Sequence, residues 1–150
     1  MKWIYTINKG LSYSNDSNIE LRFGMARDLV RKMLSYKSET NSGRFASEDS
    51  YLNLFDIPEH WIRLGFENDK LFDIEVLNGI VIFDDIEIQT RADLKDILDR
   101  LKAIGHVFQE TDYSFTNRIS KIDLGDSEKN GGISNLIYWI LVAENFDYMD

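Results

Sequence analysis

The stretch from Ile19 to Leu34 constrains this chain most, because it reads as a short strand that passes through Gly24 into an amphipathic helix. Ala26, Leu29, Val30, Met33 and Leu34 recur at helical spacing and predict a stripe facing a core, with Arg27, Asp28, Arg31 and Lys32 on the solvated face. A weaker copy of the unit follows 64 positions later, where Val30, Met33 and Leu34 align with Leu94, Ile97 and Leu98. A glycine before a helix also raises a phosphate cradle. One glycine is not a Gly-rich loop, however, and no Lys-Ser/Thr pair follows it.

The remaining pattern is mostly strand. Lys2 to Ile7, Tyr51 to Phe55, Trp61 to Phe66, Leu71 to Leu77 and Ile80 to Phe83 are rich in β-formers. Asn78-Gly79 has the chemistry of a type I′ hairpin turn, and Thr90 to Asp93 reads as a capping box for a second helix with Leu94, Ile97, Leu98, Leu101 and Ile104 inward and Gly105 as its C-cap. His106 to Phe115, Arg118 to Leu124 and Leu136 to Ala143 are further strands. The last of these lacks alternation, which predicts a central strand covered on both faces. The expected architecture is one α+β domain of two helix-plus-antiparallel-strand units, about 1–78 and 79–150, forming one largely antiparallel sheet with both helices on one face.

Composition narrows the function classes. A chain of 150 residues with 43% hydrophobic residues and a single proline is long enough to bury about 70% of its unfolded surface. With no cysteine there is neither a disulfide nor a thiolate site. The first residues lack the apolar run of a secretory signal, and no apolar run approaches the roughly 20 residues of a membrane span, so a soluble protein of the cytoplasm is expected. Charge is unevenly placed: Met1 to Phe66 holds 8 acidic and 9 basic residues, whereas Glu67 to Asp150 holds 18 acidic and 8 basic. That balance repels nucleic acid and attracts basic proteins.

No motif specifies catalysis or a cofactor. His60 and His106 stand alone in sequence. Asp126 to Ile133 follows the opening of an EF-hand loop, but Ile137 occupies the position of the essential glutamate, so a long acidic hairpin is expected rather than a Ca²⁺ site. The carboxylate pairs Asp84/Asp85, Asp73/Glu75 and Glu110/Asp112 have the spacing of exposed strand and turn positions. Trp61, Tyr113, Phe115 and Tyr138 are core by type, and any of them on a wet sheet face becomes an interface anchor.

The pattern Ile19-x-Leu21-x-Phe23-Gly24-Met25-x-Arg27-x-x-Val30-Arg31-x-x-Leu34, with Trp61-Ile62-Arg63-Leu64-Gly65-Phe66-Glu67-Asn68-Asp69-Lys70-Leu71-Phe72-Asp73-Ile74-Glu75, resembles a loose group of small bacterial immunity proteins of polymorphic toxin systems, including contact-dependent growth inhibition. The resemblance covers Ile19 to Leu101. It implies a non-enzymatic cytoplasmic inhibitor that binds a cognate toxin domain, often a nuclease, and the acidic half fits such a basic partner. The expected toxin-binding residues are Glu67, Asp69, Asp73, Glu75, Asp84, Asp85, Glu110, Asp112, Asp126 and Glu128. The alternatives are a small-ligand-binding or enzymatic domain with a pocket between sheet and helices, and an adaptor in a permanent assembly.

Overall fold

A computed structural model describes residues 2–132 and 134–149. The protein is α+β and mostly strand. In chain order come β1 (Lys2–Thr6), β2 (Gly10–Tyr13), β3 (Glu20–Arg22), α1 (Arg27–Met33), β4 (Glu48–Leu52), β5 (Trp61–Glu67), β6 (Lys70–Asn78), β7 (Ile80–Phe83), β8 (Ile86–Gln89), α2 (Leu94–Ala103), β9 (Gln109–Glu110), β10 (Ser114–Asn117), β11 (Ile122–Asp126) and β12 (Ile137–Ala143), with short 3-10 turns at Leu54–Asp56 and Asp147–Met149. Among these residues no helix is long and apolar enough to cross a membrane.

The strands divide between two sheets, which corrects the expectation of one. The first sheet has the order β3-β2-β1-β7-β8, and the second β4-β5-β6-β12-β11-β10-β9. β1 and β7 run parallel; every other pairing is antiparallel. The division happens at Asn78-Gly79, which is not a hairpin. β6 ends there in the second sheet and β7 begins in the first, while Gly79 is held by Thr90, whose Oγ1 accepts its N–H at 3.0 Å and whose own N–H donates to its carbonyl at 3.1 Å. The two-residue turns with positive φ lie instead at Asn68-Asp69 (53°, 58°) and Asp84-Asp85 (51°, 65°), the geometry a tight hairpin needs.

Alternation sends one side of each sheet inward. Trp3, Tyr5, Leu11, Leu21, Val81 and Ile88 from the first sheet join Ile62, Leu64, Ile74, Val76, Ile122, Leu124, Ile140 and Val142 from the second in one buried cluster. Each such side chain is worth about 1.5–3 kcal/mol on burial. The helices insert Val30 and Leu34 of the α1 segment and Leu94, Ile97 and Leu101 of α2 into that same cluster rather than covering one face of a common sheet. The helix starts, Arg27 and Leu94, do not keep the 64-residue spacing read from the sequence. Asp93, not Thr90, caps α2, accepting the Asp96 N–H at 2.9 Å, because Thr90 is committed to Gly79.

The polar side of α1 is where periodicity misleads. Leu29 stands 54% exposed, while Arg27 and Arg31 turn onto Asp49 of β4, which is fully buried. Arg27 Nη2 and Arg31 Nη2 donate to Asp49 Oδ1 at 2.7 and 2.8 Å, and Arg31 Nε donates to Oδ2 at 2.8 Å. Burial works against the Asp49 charge, but the bonds from Arg31 and Arg27 prevail and hold its pKa below the ordinary value. The guanidinium of Arg31 also lies over Tyr36, and that of Arg27 over Phe66, at 4.0 and 4.9 Å from the ring centroids.

Two stability predictions follow from these contacts. Asp49→Ala is expected to cost about 2–4 kcal/mol in urea unfolding, because it leaves two half-buried guanidinium groups without their acceptor. Burial lowers His60 to about 4, as a neutral imidazole that accepts the Trp3 Nε1–H at 3.2 Å. The unfolded chain binds a proton there near pH 6.5 and the folded chain does not, so the His60 contribution is whole above pH 6.5 and is lost as pH falls toward 4. Unfolding midpoints at pH 7 and pH 4.5 should therefore differ less for His60→Gln than for the wild type.

Candidate interface on the outer face of the second sheet

Among the described residues, the side of the second sheet that faces away from the core is reached by Arg44 from the loop before β4, near Glu75, and by Tyr148 from the last 3-10 turn, at Asp73. Strand register arranges this side in rows. One row runs Ser50, Arg63, Glu75, Leu141, Asp123, Thr116 across β4, β5, β6, β12, β11 and β10. A second runs Glu48, Gly65, Asp73, Ala143. Beside the first row stand Leu52 and Trp61, which are cross-strand partners, and Trp139, two residues before Leu141 on the same side of β12. β12 is thus central, as expected, but covered on one face only: Trp139 and Leu141 are half-buried, and Tyr138 is exposed.

Charged and aromatic groups interlock here. Arg63 Nη1 donates to Glu75 Oε1 at 2.7 Å, and its guanidinium lies 5.3 Å from the centre of the Trp61 ring. Trp61 Nε1 donates to Ser50 Oγ at 2.9 Å. Arg44, from the loop before β4, donates to Glu48 at 3.0 Å and comes within 3.8 Å of Glu75. The Asp73 carboxyl fills the space that a side chain on Gly65 would take, and Tyr148 Oη donates to it at 3.1 Å. A cavity of about 180 Å³ opens between Arg44, Glu48, Arg63, Asp73, Glu75 and Tyr148.

Burial pushes the pKa of Asp73 up, with the nearby Glu48 adding to the effect and the Tyr148 hydrogen bond only partly opposing it. Burial also pushes Glu75 up, against the attraction of Arg63 and Arg44. Asp73 is held where its charge is poorly compensated and Glu75 where burial outweighs two arginines, an arrangement common at functional sites and costly elsewhere.

The ten carboxylates expected from sequence do not form one surface. Asp73 and Glu75 share the face just described. Glu67 and Asp69 lie at the β5–β6 turn, with Asp69 3.9 Å from Arg27. Asp84 and Asp85 form the β7–β8 turn of the first sheet, and Asp84 Oδ2 lies 2.9 Å from His106 Nε2. Glu110, Asp112, Asp126 and Glu128 gather where the β11–β12 loop meets the β9–β10 turn: Glu110 pairs with Lys129 at 3.2 Å, Asn130 Nδ2 donates to the Tyr113 carbonyl, and Asp112 and Glu128 are exposed. Asp126 is buried and accepts the Glu128 N–H at 3.0 Å, so its carboxyl serves its own loop. Ile133, the last residue of the EF-hand-like run, lies outside the described residues.

Arg63, Asp123, Trp139 and Tyr148 escaped the sequence reading. The period-two signal for Trp139 and Leu141 was present but hidden in an unbroken apolar run, and Asp123 and Tyr148 reach the face only through tertiary contacts.

A test of the electrostatics uses Asp73→Asn, which keeps an acceptor for Tyr148. Because the folded pKa of Asp73 is raised, the charged group costs stability above that value and the cost vanishes below the unfolded pKa, near 3.8. The variant should be more stable than the wild type at pH 7, and the difference should disappear by pH 3.5.

No family model, curated protein or solved structure matches the chain, so the chemistry of this face carries the functional argument.

Proposed function

We propose that the protein is an immunity protein that neutralises a cognate basic toxin domain, of nuclease type, by binding it stoichiometrically in the cytoplasm without chemistry of its own. The outer face of the second sheet is the docking surface. The observation that carries this reading is the pairing of half-exposed aromatic rings, Trp61 and Trp139, with the desolvated carboxyl groups of Asp73 and Glu75 on one open sheet face. Aromatic anchors ringed by polar groups are what a tight interface concentrates, and a face on which Glu48, Asp73 and Glu75 outnumber Arg44 and Arg63 favours a basic partner over an acidic one. A nuclease must carry cations to hold phosphate, and an acidic cover complements them.

In this reading the chain is one domain of two similarly built units. The support is the strand order, in which β1 meets β7 at the middle of one sheet and β6 meets β12 near the middle of the other. Joining the units this way leaves a face wider than either unit has alone. The carboxylates away from it, at the three turn clusters, steer the partner at long range rather than touch it.

A small-ligand site is the second reading. One observation favours it: a cleft of about 760 Å³ between the end of α1 and the 3-10 turn after β4, lined by Lys37, Asn41, Tyr51, Phe55 and Asp56 among others. Phe55 adopts φ 57°, a strained conformation for a bulky residue.

The deciding experiment co-expresses the chain with the product of the adjoining open reading frame and asks for a one-to-one complex and rescue from toxicity. Asp73→Lys with Glu75→Lys is expected to weaken that complex by about 30–1000-fold, equivalent to about 2–4 kcal/mol. Glu67→Lys with Asp69→Lys, away from the face, should change mainly the association rate and its salt dependence. Unchanged affinity and protection in the Asp73/Glu75 variant, with its fold intact by circular dichroism, would remove the face from the interface; no complex with that product, together with a small molecule retained by the wild type and lost on filling the cleft at Asn41, would favour the second reading.

A further inference from the structure

We infer that Trp139 is the fixed anchor of this interface, an indole platform for the guanidinium group of a partner arginine, and that Asp123 is the residue that positions it; the inference rests on the docking face proposed above. The ring is held from three strands. Gly125 of β11 leaves its place: a Cβ there would meet the ring atoms Cδ2, Cε2 and Cε3 of Trp139 at 2.3–2.6 Å, so the indole lies flat over the β11 backbone. Its Nε1 donates to Asp123 Oδ2 at 2.8 Å. The other Asp123 oxygen accepts the Thr116 hydroxyl of β10.

Core packing does not call for this arrangement. Asp123 is 1% exposed, yet it lies on the side of the sheet away from the inter-sheet core, and it is covered there by the indole it holds. Burying a carboxyl group is costly even when it is hydrogen-bonded. What the arrangement achieves is one fixed orientation for a large aromatic ring that stays half-exposed, with the Tyr138 ring beside it at 5.6 Å between centroids. A ring fixed before binding loses little entropy on binding, which is what distinguishes an anchor from an exposed aromatic.

The chemistry of the surroundings selects the occupant. An indole face attracts cations, and on the same sheet face the carboxyl groups of Glu48, Asp73 and Glu75 outnumber the guanidinium groups of Arg44 and Arg63. The same sheet already builds this contact once within itself, where Arg63 lies over Trp61 and donates to Glu75. A planar guanidinium stacks and donates at its edge simultaneously; a lysine ammonium does not.

The test is a titration of ¹⁵N-labelled protein with a tetra-arginine peptide and, separately, a tetra-lysine peptide. It follows the indole N–H signal of Trp139, assigned by its disappearance in Trp139→Phe. A saturable shift is expected with the arginine peptide, with affinity about threefold or more above that of the lysine peptide. Gly125→Ala, which lifts the ring without touching Asp123, should weaken the arginine peptide about fivefold. Asp123→Asn, which retains an acceptor for the indole, should retain more binding than Asp123→Ala. Equal affinity for the two peptides, or wild-type binding by a folded Gly125→Ala, would overturn the platform. If the signals of Gly65 and Arg63 shift while that of Trp139 stays, the docking face stands and the anchor fails. If nothing on the face responds to either peptide, both fall.

Discussion

The architecture turns on the clamp between Gly79 and Thr90. By holding the N–H and carbonyl of Gly79, Thr90 fixes the point at which the chain leaves the second sheet and enters the first. A side chain there would stand 3.0–3.2 Å from Val76 and the His60 ring, so those neighbours would have to give by a few tenths of an ångström. His60 in turn accepts from Trp3 at the start of the first sheet, so the crossing is tied to both layers. Were β6 and β7 instead joined as a hairpin, the two would share a sheet and the core between layers would lose its second wall. The free outer face of the second sheet is a consequence of this crossing.

Much of the local structure was legible in the residues. The inward Ile74 and Val76 of the Leu71 to Leu77 strand and the inward Leu94, Ile97 and Leu101 of α2 appear where pattern places them, because each depends on neighbours in sequence; Ile104, expected on the same stripe, lies beyond the end of the helix and is 47% exposed. The crossing at Gly79 was not legible: Asn-Gly has the intrinsic chemistry of a type I′ turn, and what overrides it is a side chain eleven residues away. The same holds for α1. Periodicity put Arg27 and Arg31 in water, where an isolated amphipathic helix would leave them, and only the buried Asp49 on β4 draws them in.

Asp49 and Asp73 show how one residue type serves opposite ends in this fold. Both are removed from water on strands of the second sheet. Asp49 meets two arginines and remains charged at a depressed pKa, so it fastens the helix to the sheet edge. Asp73 meets a tyrosine hydroxyl and the backbone of Gly65, neither of which supplies a positive charge, and its pKa rises. Burial pushes both carboxyls up, and only at Asp49 do two arginines reverse it; that partnership was invisible to a count of acidic residues along the chain.

The candidate site was legible to the same degree. Charge distribution pointed to the second part of the chain, and Asp73 and Glu75 do stand on the outer face, but the other eight acidic residues singled out lie elsewhere, five in turns and loops and three, Glu67, Glu110 and Asp126, at strand ends. A carboxylate in a turn is solvated on most sides, and its interaction with a partner is weakened by water and salt. One on a strand, flanked by Trp61, Leu141 and Trp139, has already lost much of its hydration before any partner arrives, so a cation brought to it meets a stronger field at a smaller further cost of desolvation. The stability sacrificed at Asp73 and Glu75 in the free protein is therefore what makes this face, rather than the more numerous charges around it, the place where a basic surface would be held.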